Sequence, residues 1–232
     1  MNEEIKIILD EAKRNDRAVL TYEESRRIME LADIPLNKMR VAKDLEDAIL
    51  KGNEIGFPIV LKVVSEDVVH KSDVGGVKVG IKSNEELKRA FVVMLDSVKK
   101  HYPNAKIEGV SIEEMVEGVE LLIGTNTDSQ FGKMIALGIG GVFVEIYKDV
   151  SFRLIPVTAN DVEDMILEIK GKTILDGYRG MPVVDKQELI SLVLKTSRLI
   201  EEFPVIDEMD LNPVVATTEG LKAIDARIIL DK

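Results

Sequence analysis

The end of the chain reads EMDLNPVVAT and LKAIDARIIL, two apolar segments with polar residues at regular spacing. A two-residue hairpin turn between them pairs Asn212 with Asp225 and Asp210 with Arg227, and alternation puts all four side chains on one face. Carboxylate and amide oxygens hold Mg²⁺ together with substrate phosphates, so this face suits a metal–nucleotide complex. The alternative is a surface pair between Asp210 and Arg227, because a one-residue slip reverses every face.

A lysine interrupts the apolar run Ile59–Val64. Lys62 is either a cation aimed at a phosphate or an edge residue that extends its ammonium group into water. Farther along, Gly75 and Gly76 end a polar loop. Paired glycines allow a backbone to approach phosphate oxygens, but they are also an ordinary turn between strands. The segment GIGG at residues 138–141 has the same two interpretations.

The loop before these glycines contains His70, one of two histidines in the chain. Histidine is one of the few side chains that can accept a phosphoryl group reversibly near neutral pH. A structural or solvated His70 is the alternative. His101 lies at a predicted helix end, and we assign it no role.

A third group is acidic and precedes the apolar segment LLIG. Carboxylates here could bind ribose hydroxyls, and the main chain around residues 114–116 could bind an adenine edge. Acidic turns are equally common as solubilising features. Tyr147 and Phe152 are expected in the core rather than stacked on a base.

The elements that must position these residues alternate between helix and strand up to about residue 105, and β segments follow from Lys106 to Pro156. Capping boxes at Thr21 with Glu24, and at Ser83 with Glu86, predict two helix starts. We therefore expect an α+β protein with two lobes. The predicted main lobe combines residues 20–37 and 106–232, the smaller lobe is 38–105 and contains the phosphate loop, and 1–19 is an N-terminal helix.

Composition narrows the function further. The 232 residues carry 31 Lys and Arg against 42 Asp and Glu, a net charge of −11, with no cysteine. This balance argues against nucleic acid and anionic membranes as partners. Without cysteine there is no disulfide or thiolate chemistry, and no apolar stretch approaches the ~20 residues that span a bilayer. We expect a cytoplasmic protein.

Together, FPIVLKVVSEDVVHKSDVGGVKVGI, NTDSQFGKMIALGIGG, SFRLIPV and EMDLNPV resemble the ATP-grasp fold. More narrowly, the chain resembles the β subunits of archaeal ADP-forming acetyl-CoA synthetases, within the NDP-forming acyl-CoA synthetase family. The resemblance runs from about Thr21 to the end of the chain. It implies two α+β lobes that grip a nucleotide, with ATP or ADP and Mg²⁺ as cofactors.

The implied reaction converts acyl-CoA, ADP and phosphate reversibly into a carboxylate, CoA and ATP. A separate α subunit would carry the CoA-binding and phosphohistidine domains, in an α2β2 assembly, and this chain alone would not complete the reaction. The resemblance implies the following roles: phosphoryl acceptor, His70; nucleotide phosphates, Lys62, Gly75, Gly76 and Arg153; adenine hinge, Glu114, Met115 and Val116; ribose, Glu120; Mg²⁺, Asn212 and Asp225.

Two other functions remain open from the sequence. ATP-grasp carboxylate–amine ligases make an acyl phosphate and attack it with an amine, but they usually carry a substrate lobe ahead of the ATP-grasp region. A non-catalytic nucleotide-sensing subunit would keep Lys62 and Glu120 without needing His70. The presence of His70 and the polar hairpin face favours catalysis.

Overall fold

The computed structural model describes residues 2–65, 67–68, 71–141 and 148–231. Contacts divide the chain into two compact units, Met1–Leu36 with Val116–Lys232, and Asn37–Met115. The expected boundary at residue 105 differs from this division. The reason is the strand Gly109–Glu114, which pairs with two strands of the smaller unit. Sequence order alone had assigned that strand to the other lobe.

The described residues form α-helices of 10 residues or more and strands of 4 to 12 residues. The helices are α1 (Asn2–Arg14), α2 (Tyr22–Leu31), α3 (Leu45–Ile55), α4 (Asn84–His101), α5 (Ala159–Glu168) and α6 (Lys186–Glu202). The strands are β1 (Met39–Ala42), β2 (Ile59–Val64), β3 (Val77–Ile81), β4 (Gly109–Glu114), β5 (Val119–Asp128), β6 (Gly132–Ile139), β7 (Val150–Leu154), β8 (Ile206–Thr217), β9 (Gly220–Ala223) and β10 (Ala226–Leu230). Among the described residues, no helix has both the length and the apolar composition of a membrane-spanning segment.

Helix starts follow the predicted capping residues. The side chain of Thr21 accepts a hydrogen bond from the Glu24 N–H, and the Glu24 carboxylate accepts one from the Thr21 N–H, so this capping box is confirmed. Ser83 caps α4 by accepting from the Glu86 N–H. The Glu86 carboxylate, however, accepts from the Lys82 N–H, so the second predicted box is shifted by one residue.

The smaller unit is a four-stranded antiparallel sheet in the order β1-β4-β2-β3, packed with α3 and α4. Ile59, Leu61 and Ile112 alternate along their strands toward one core, where each is fully buried. Burying a side chain of this size stabilises the fold by about 1.5–3 kcal/mol. The residues between them, among them Lys62, lie on the opposite face of the sheet.

The larger unit contains a sheet in the order β10-β8-β5-β6-β7, with β9 added against β8. Along β5, the buried residues Leu121 and Ile123 alternate with the less buried Glu120 and Leu122. The sheet therefore has a core face and a second face, which we call the open face. Phe152 on β7 shares the open face by register and is 52% exposed, so the expectation that it belongs to the core is wrong.

Candidate functional site

The C-terminal hairpin has the register that the sequence predicted. Arg227 pairs with Asp210 across β10 and β8, and Thr217 pairs with Gly220 at the turn. Between β9 and β10, the Ile224 N–H donates to the carbonyl oxygen of Pro213 at 2.9 Å. Asn212 and Asp225 lie between the pairs Leu211–Ala226 and Val214–Ala223, so the same register places them at neighbouring positions.

Acidic side chains concentrate on this hairpin. Burial raises the pKa of the Asp210 carboxyl above its ordinary value, and the charges of Glu208 and Asp225 raise it further, against a smaller opposing effect of Arg227. Carboxylates that repel one another in this way are stabilised by a cation. The open face of the hairpin is therefore suited to hold a positive charge.

The side-chain oxygens of Asn212 and Asp225 suit a hard cation whose remaining ligands come from a bound substrate. Asn212 and Asp225 are exposed, and one Asp225 oxygen accepts from the Ala226 N–H at 2.9 Å. No three His, Cys, Asp or Glu side chains form a ready-made metal cage in the described ranges. One or two protein oxygens completed by phosphate oxygens is the usual arrangement for Mg²⁺.

Asp210→Asn is expected to raise the free energy of unfolding at pH 7. The folded chain binds a proton at Asp210 more tightly than the unfolded chain, because the folded pKa lies above the ordinary 3.8. The cost of the charged carboxylate is full above the raised pKa and disappears as the pH falls below about 3.8. Urea denaturation of both proteins at several pH values measures the difference.

The matched control is Asp207→Asn, an aspartate three residues earlier in the same strand, where the pairing with β10 is irregular. It removes the same charge from a residue that does not contribute to the raised pKa of Asp210. If Asp210→Asn stabilises the fold equally at acid pH, the cost does not come from the charged form of the Asp210 carboxylate.

Glu120 lies on the open face of β5, and the predicted glycine loop packs against it. The Gly140 N–H donates to the Glu120 carbonyl oxygen at 2.7 Å. A Cβ atom on Gly140 would lie 3.0 Å from the Glu120 Cβ, and one on Gly141 would lie 3.5 Å from the Glu120 Oε2. The glycines thus leave room for the Glu120 carboxylate, a link between two motifs that the sequence treated separately.

The segment Glu114–Val116 connects the two units and is fixed by main-chain contacts on the smaller one. The Glu114 N–H donates to the Lys38 carbonyl at 2.9 Å, while the Glu114 Oε2 accepts from the Lys38 N–H at 3.0 Å. The Met115 N–H donates to the Pro58 carbonyl at 3.3 Å. Within the described residues no partner is seen for the Val116 N–H, which leaves it available to a base edge.

Lys62 is half-buried on β2, and its ammonium nitrogen lies 2.8 Å from the Glu113 Oε2 on β4. Glu113 is not singled out as a site residue in the sequence analysis. Alternation along β4 puts Glu113 on the same face of the sheet as Lys62, a signal that the sequence contained once the pairing of β2 with β4 was known.

Gly75 and Gly76 serve the packing of their own loop. The Gly75 N–H donates to the Ser72 carbonyl at 3.1 Å, and the Gly76 N–H donates to the Lys71 carbonyl at 2.7 Å. A Cβ on Gly76 would lie 2.8 Å from the Val63 Cγ1, closer than side chains allow. Both N–H groups are therefore used internally in this structure, and the glycines do not present them to a phosphate.

Two further residues were predicted to belong to the site. His70 lies outside the described residues. Arg153 lies on the core side of β7, and its guanidinium pairs with Glu168 of α5 at 2.6 Å, which raises the Arg153 pKa and holds the Glu168 pKa at about 2. Because Arg153 and Phe152 alternate, the structure does not bring Arg153 to the face of Asp210.

The family model described as an ATP-grasp domain matches residues 11–230. The chain belongs to the ATP-grasp family. Within this family, it is 42% identical over 224 residues to the beta subunit of the ADP-forming acetate–CoA ligase I of Pyrococcus furiosus, with 96% of each chain covered. The α+β ATP-grasp fold expected from the sequence is confirmed.

Two solved structures of the dinucleotide forming acetyl-coenzyme A synthetase 1 of Ca. Korarchaeum cryptofilum are similar to this ATP-grasp chain. One, in complex with coenzyme A, Ca-AMPCP and HgCl⁺, has a TM-score of 0.91 and 46% identity, covering 97% of this chain and 99% of that one. The other contains coenzyme A and Mg-AMPPCP, with its phosphohistidine segment pointing towards the nucleotide binding site. Its TM-score is 0.84 at 42% identity, with 98% and 100% of the two chains covered.

Proposed function

We propose that this chain is the nucleotide-binding subunit of an ADP-forming acyl-CoA synthetase, with acetyl-CoA as the substrate suggested by its relatives. It transfers a phosphoryl group reversibly between a phosphohistidine and ADP. In the direction of ATP formation, the P–N bond of the phosphohistidine breaks and a β-phosphate oxygen of ADP forms the new P–O bond. The relative in Pyrococcus furiosus is named as the beta subunit of such a ligase and matches along nearly the whole chain.

The observation that carries this proposal is the acidic hairpin, in which Asn212 and Asp225 are adjacent and the pKa of Asp210 is raised by burial and by neighbouring carboxylates. Burial and neighbouring like charges disfavour the charged form of Asp210, and a bound cation would offset both effects. Asn212 and Asp225 would hold Mg²⁺ with the phosphates. When bound, that ion neutralises charge on the phosphate oxygens. The neighbour that contains Mg-AMPPCP supports this choice of metal.

The remaining residues would orient the nucleotide. Lys62 places an ammonium group for the phosphate oxygens, and Glu120 accepts hydrogen bonds from ribose hydroxyls. The main chain of Glu114–Val116 offers the Val116 N–H to the adenine edge. These contacts position the reacting groups and offset charge on the transferred phosphoryl, which is most of what catalysis of this transfer requires.

A partner must supply the acyl-CoA chemistry in this proposal. The relative's designation as a beta subunit and the phosphohistidine segment of the neighbouring structure both support an α subunit that carries the CoA-binding and phosphohistidine domains. We propose an α2β2 assembly. His70 would relay the phosphoryl group on this chain.

Reconstitution tests the function as a whole. The chain is mixed with an α subunit from the same source, and ATP formation from acetyl-CoA, ADP and phosphate is followed with Mg²⁺ present. Activity that requires both chains is expected. Carboxylate-dependent and amine-dependent ATP hydrolysis by this chain alone would instead indicate a carboxylate–amine ligase, and nucleotide binding without turnover in the mixture would indicate a sensor.

A further inference from the structure

Lys62 has a buried anionic partner. The Glu113 carboxylate is 1% exposed, whereas the Lys62 side chain is 22% exposed, and the Glu113 Oε2 lies 2.8 Å from the Lys62 nitrogen. This contact is an ion pair without an aligned hydrogen bond, because the Glu113 Oε2 has no hydrogen-bond donor within the described residues. The anion therefore lies on the inside of the pair and the ammonium group on the outside.

A serine fixes the other oxygen of the carboxylate. The Ser111 hydroxyl lies 2.7 Å from the Glu113 Oε1, and 3.3 Å from the Lys62 carbonyl oxygen. Ser111 is directly opposite Lys62 in the pairing of β4 with β2, and Glu113 is two residues farther along β4. The three side chains thus occupy adjacent places on one face of the sheet.

Stability alone does not account for this arrangement. A buried ion pair contributes little to the free energy of unfolding compared with apolar residues of the same volume, because desolvating both charges is costly. Val60, directly opposite Glu113, shows that apolar side chains fit on this face. Since Glu113 itself is covered, it can act on a ligand only through the lysine.

We propose that Glu113 is a positioning residue for Lys62, and that Ser111 in turn fixes Glu113. The carboxylate holds the ammonium group in one place by charge attraction, so that the exposed side of the ammonium group is available to a phosphoryl oxygen. This inference rests on the proposed function, because it takes the phosphate role of Lys62 as given. It adds a residue pair that binds no substrate atom itself.

The test is a double-mutant cycle between Glu113→Gln and Lys62→Met, measured in the reconstituted synthetase and, for Mg–ADP affinity, on this chain by calorimetry. Glu113→Gln is expected to lower kcat about tenfold, because a small displacement of a catalytic cation has effects of this size or larger. The dissociation constant of Mg–ADP should change less than about threefold, since the charge of Lys62 remains. Glu108→Gln, an exposed carboxylate just before β4, is the matched control and should leave kcat unchanged.

The double variant separates positioning from packing. If Glu113 acts through Lys62, Glu113→Gln should not lower kcat further once Lys62 is methionine. In the same background it should raise the stability of the fold, because Lys62→Met alone leaves a buried carboxylate without its counterion. Additive losses of kcat in the double variant would overturn the proposal.

Two other results are informative. If Lys62→Met leaves both Mg–ADP affinity and kcat unchanged, the phosphate role of Lys62 in the proposed function is wrong. If Lys62→Met is impaired while Glu113→Gln matches the Glu108→Gln control, only the positioning role fails. Should Glu113→Gln not fold, Ser111→Ala takes its place with an expected loss of about threefold in kcat that vanishes in the Lys62→Met background.

Discussion

Asp225→Ala is expected to weaken binding of Mg–ADP about 30-fold. The reason is the loss of one of two protein oxygens on the ion, and a contact with a charged group is worth about 1.5–3 kcal/mol. Asp225 is exposed and accepts only the Ala226 N–H at 2.9 Å among the described residues, so its removal should leave the fold intact. Isothermal titration calorimetry of the isolated chain with Mg–ADP measures the effect.

The same titration in the absence of Mg²⁺ distinguishes a metal ligand from a general contact, because the direction of the change in ADP affinity differs between the two. Without the ion, Asp225 repels the ADP phosphates, so Asp225→Ala should bind metal-free ADP at least as tightly as the unmodified chain does. Glu219→Ala removes an exposed acid from the turn of the same hairpin and is the charge control. A loss of equal size with and without Mg²⁺ would contradict the metal assignment.

His70→Ala is expected to abolish formation of an acid-labile phosphate on the chain and, with the α subunit present, ATP formation. A histidine that relays the phosphoryl group forms a P–N bond, which acid hydrolyses, and alanine has no nitrogen to accept it. Intact mass before and after acid treatment, following incubation with Mg–ATP, measures the product. Nucleotide affinity should stay within about threefold, because Lys62 and the hairpin are unchanged.

The control for this experiment is the other histidine. His101 ends α4, and its Nδ1 lies 2.8 Å from the Ser97 carbonyl oxygen, a local contact that serves the helix end. His101→Ala should therefore retain the phosphate. A His70→Ala chain that is phosphorylated normally, or that supports normal ATP formation, would exclude the relay through this residue.

Local sequence rules were sufficient to predict contacts between residues that are close in the chain. The capping box at Thr21 and the register of the C-terminal hairpin both depend on residues within one turn or one tight connection. The pairing of Arg227 with Asp210 followed from a two-residue turn and strict alternation, and the structure confirms it. The family-level motifs likewise gave the ATP-grasp fold, which the matching family model confirms.

The sequence alone was insufficient where partners are far apart in the chain. The strand Gly109–Glu114 joins the smaller unit because it pairs with Met39–Ala42 and Ile59–Val64, and no local pattern reveals that choice. The same pairing makes Glu113 the partner of Lys62. Without it, the lysine could be interpreted only as a solvent-exposed or phosphate-binding residue.

Hydrogen-bond and ion-pair partners, which only the structure reveals, determine how Gly75, Gly76 and Arg153 are used. Gly75 and Gly76 matched a phosphate-binding pattern, yet their N–H groups donate to Ser72 and Lys71. Arg153 matched a motif, yet it pairs with Glu168 on the core side of the sheet.

By itself, the sequence determined the ATP-grasp family of the chain and the periodicity that sorts its side chains onto faces. The tertiary structure decided which strands pair and which polar groups already have a partner. It also decided where burial and neighbouring charges raise the pKa of a carboxylate such as Asp210. The physical reason is that alternation and turns are fixed by a few adjacent backbone angles, whereas burial and charge coupling depend on residues that approach only when the whole chain is folded.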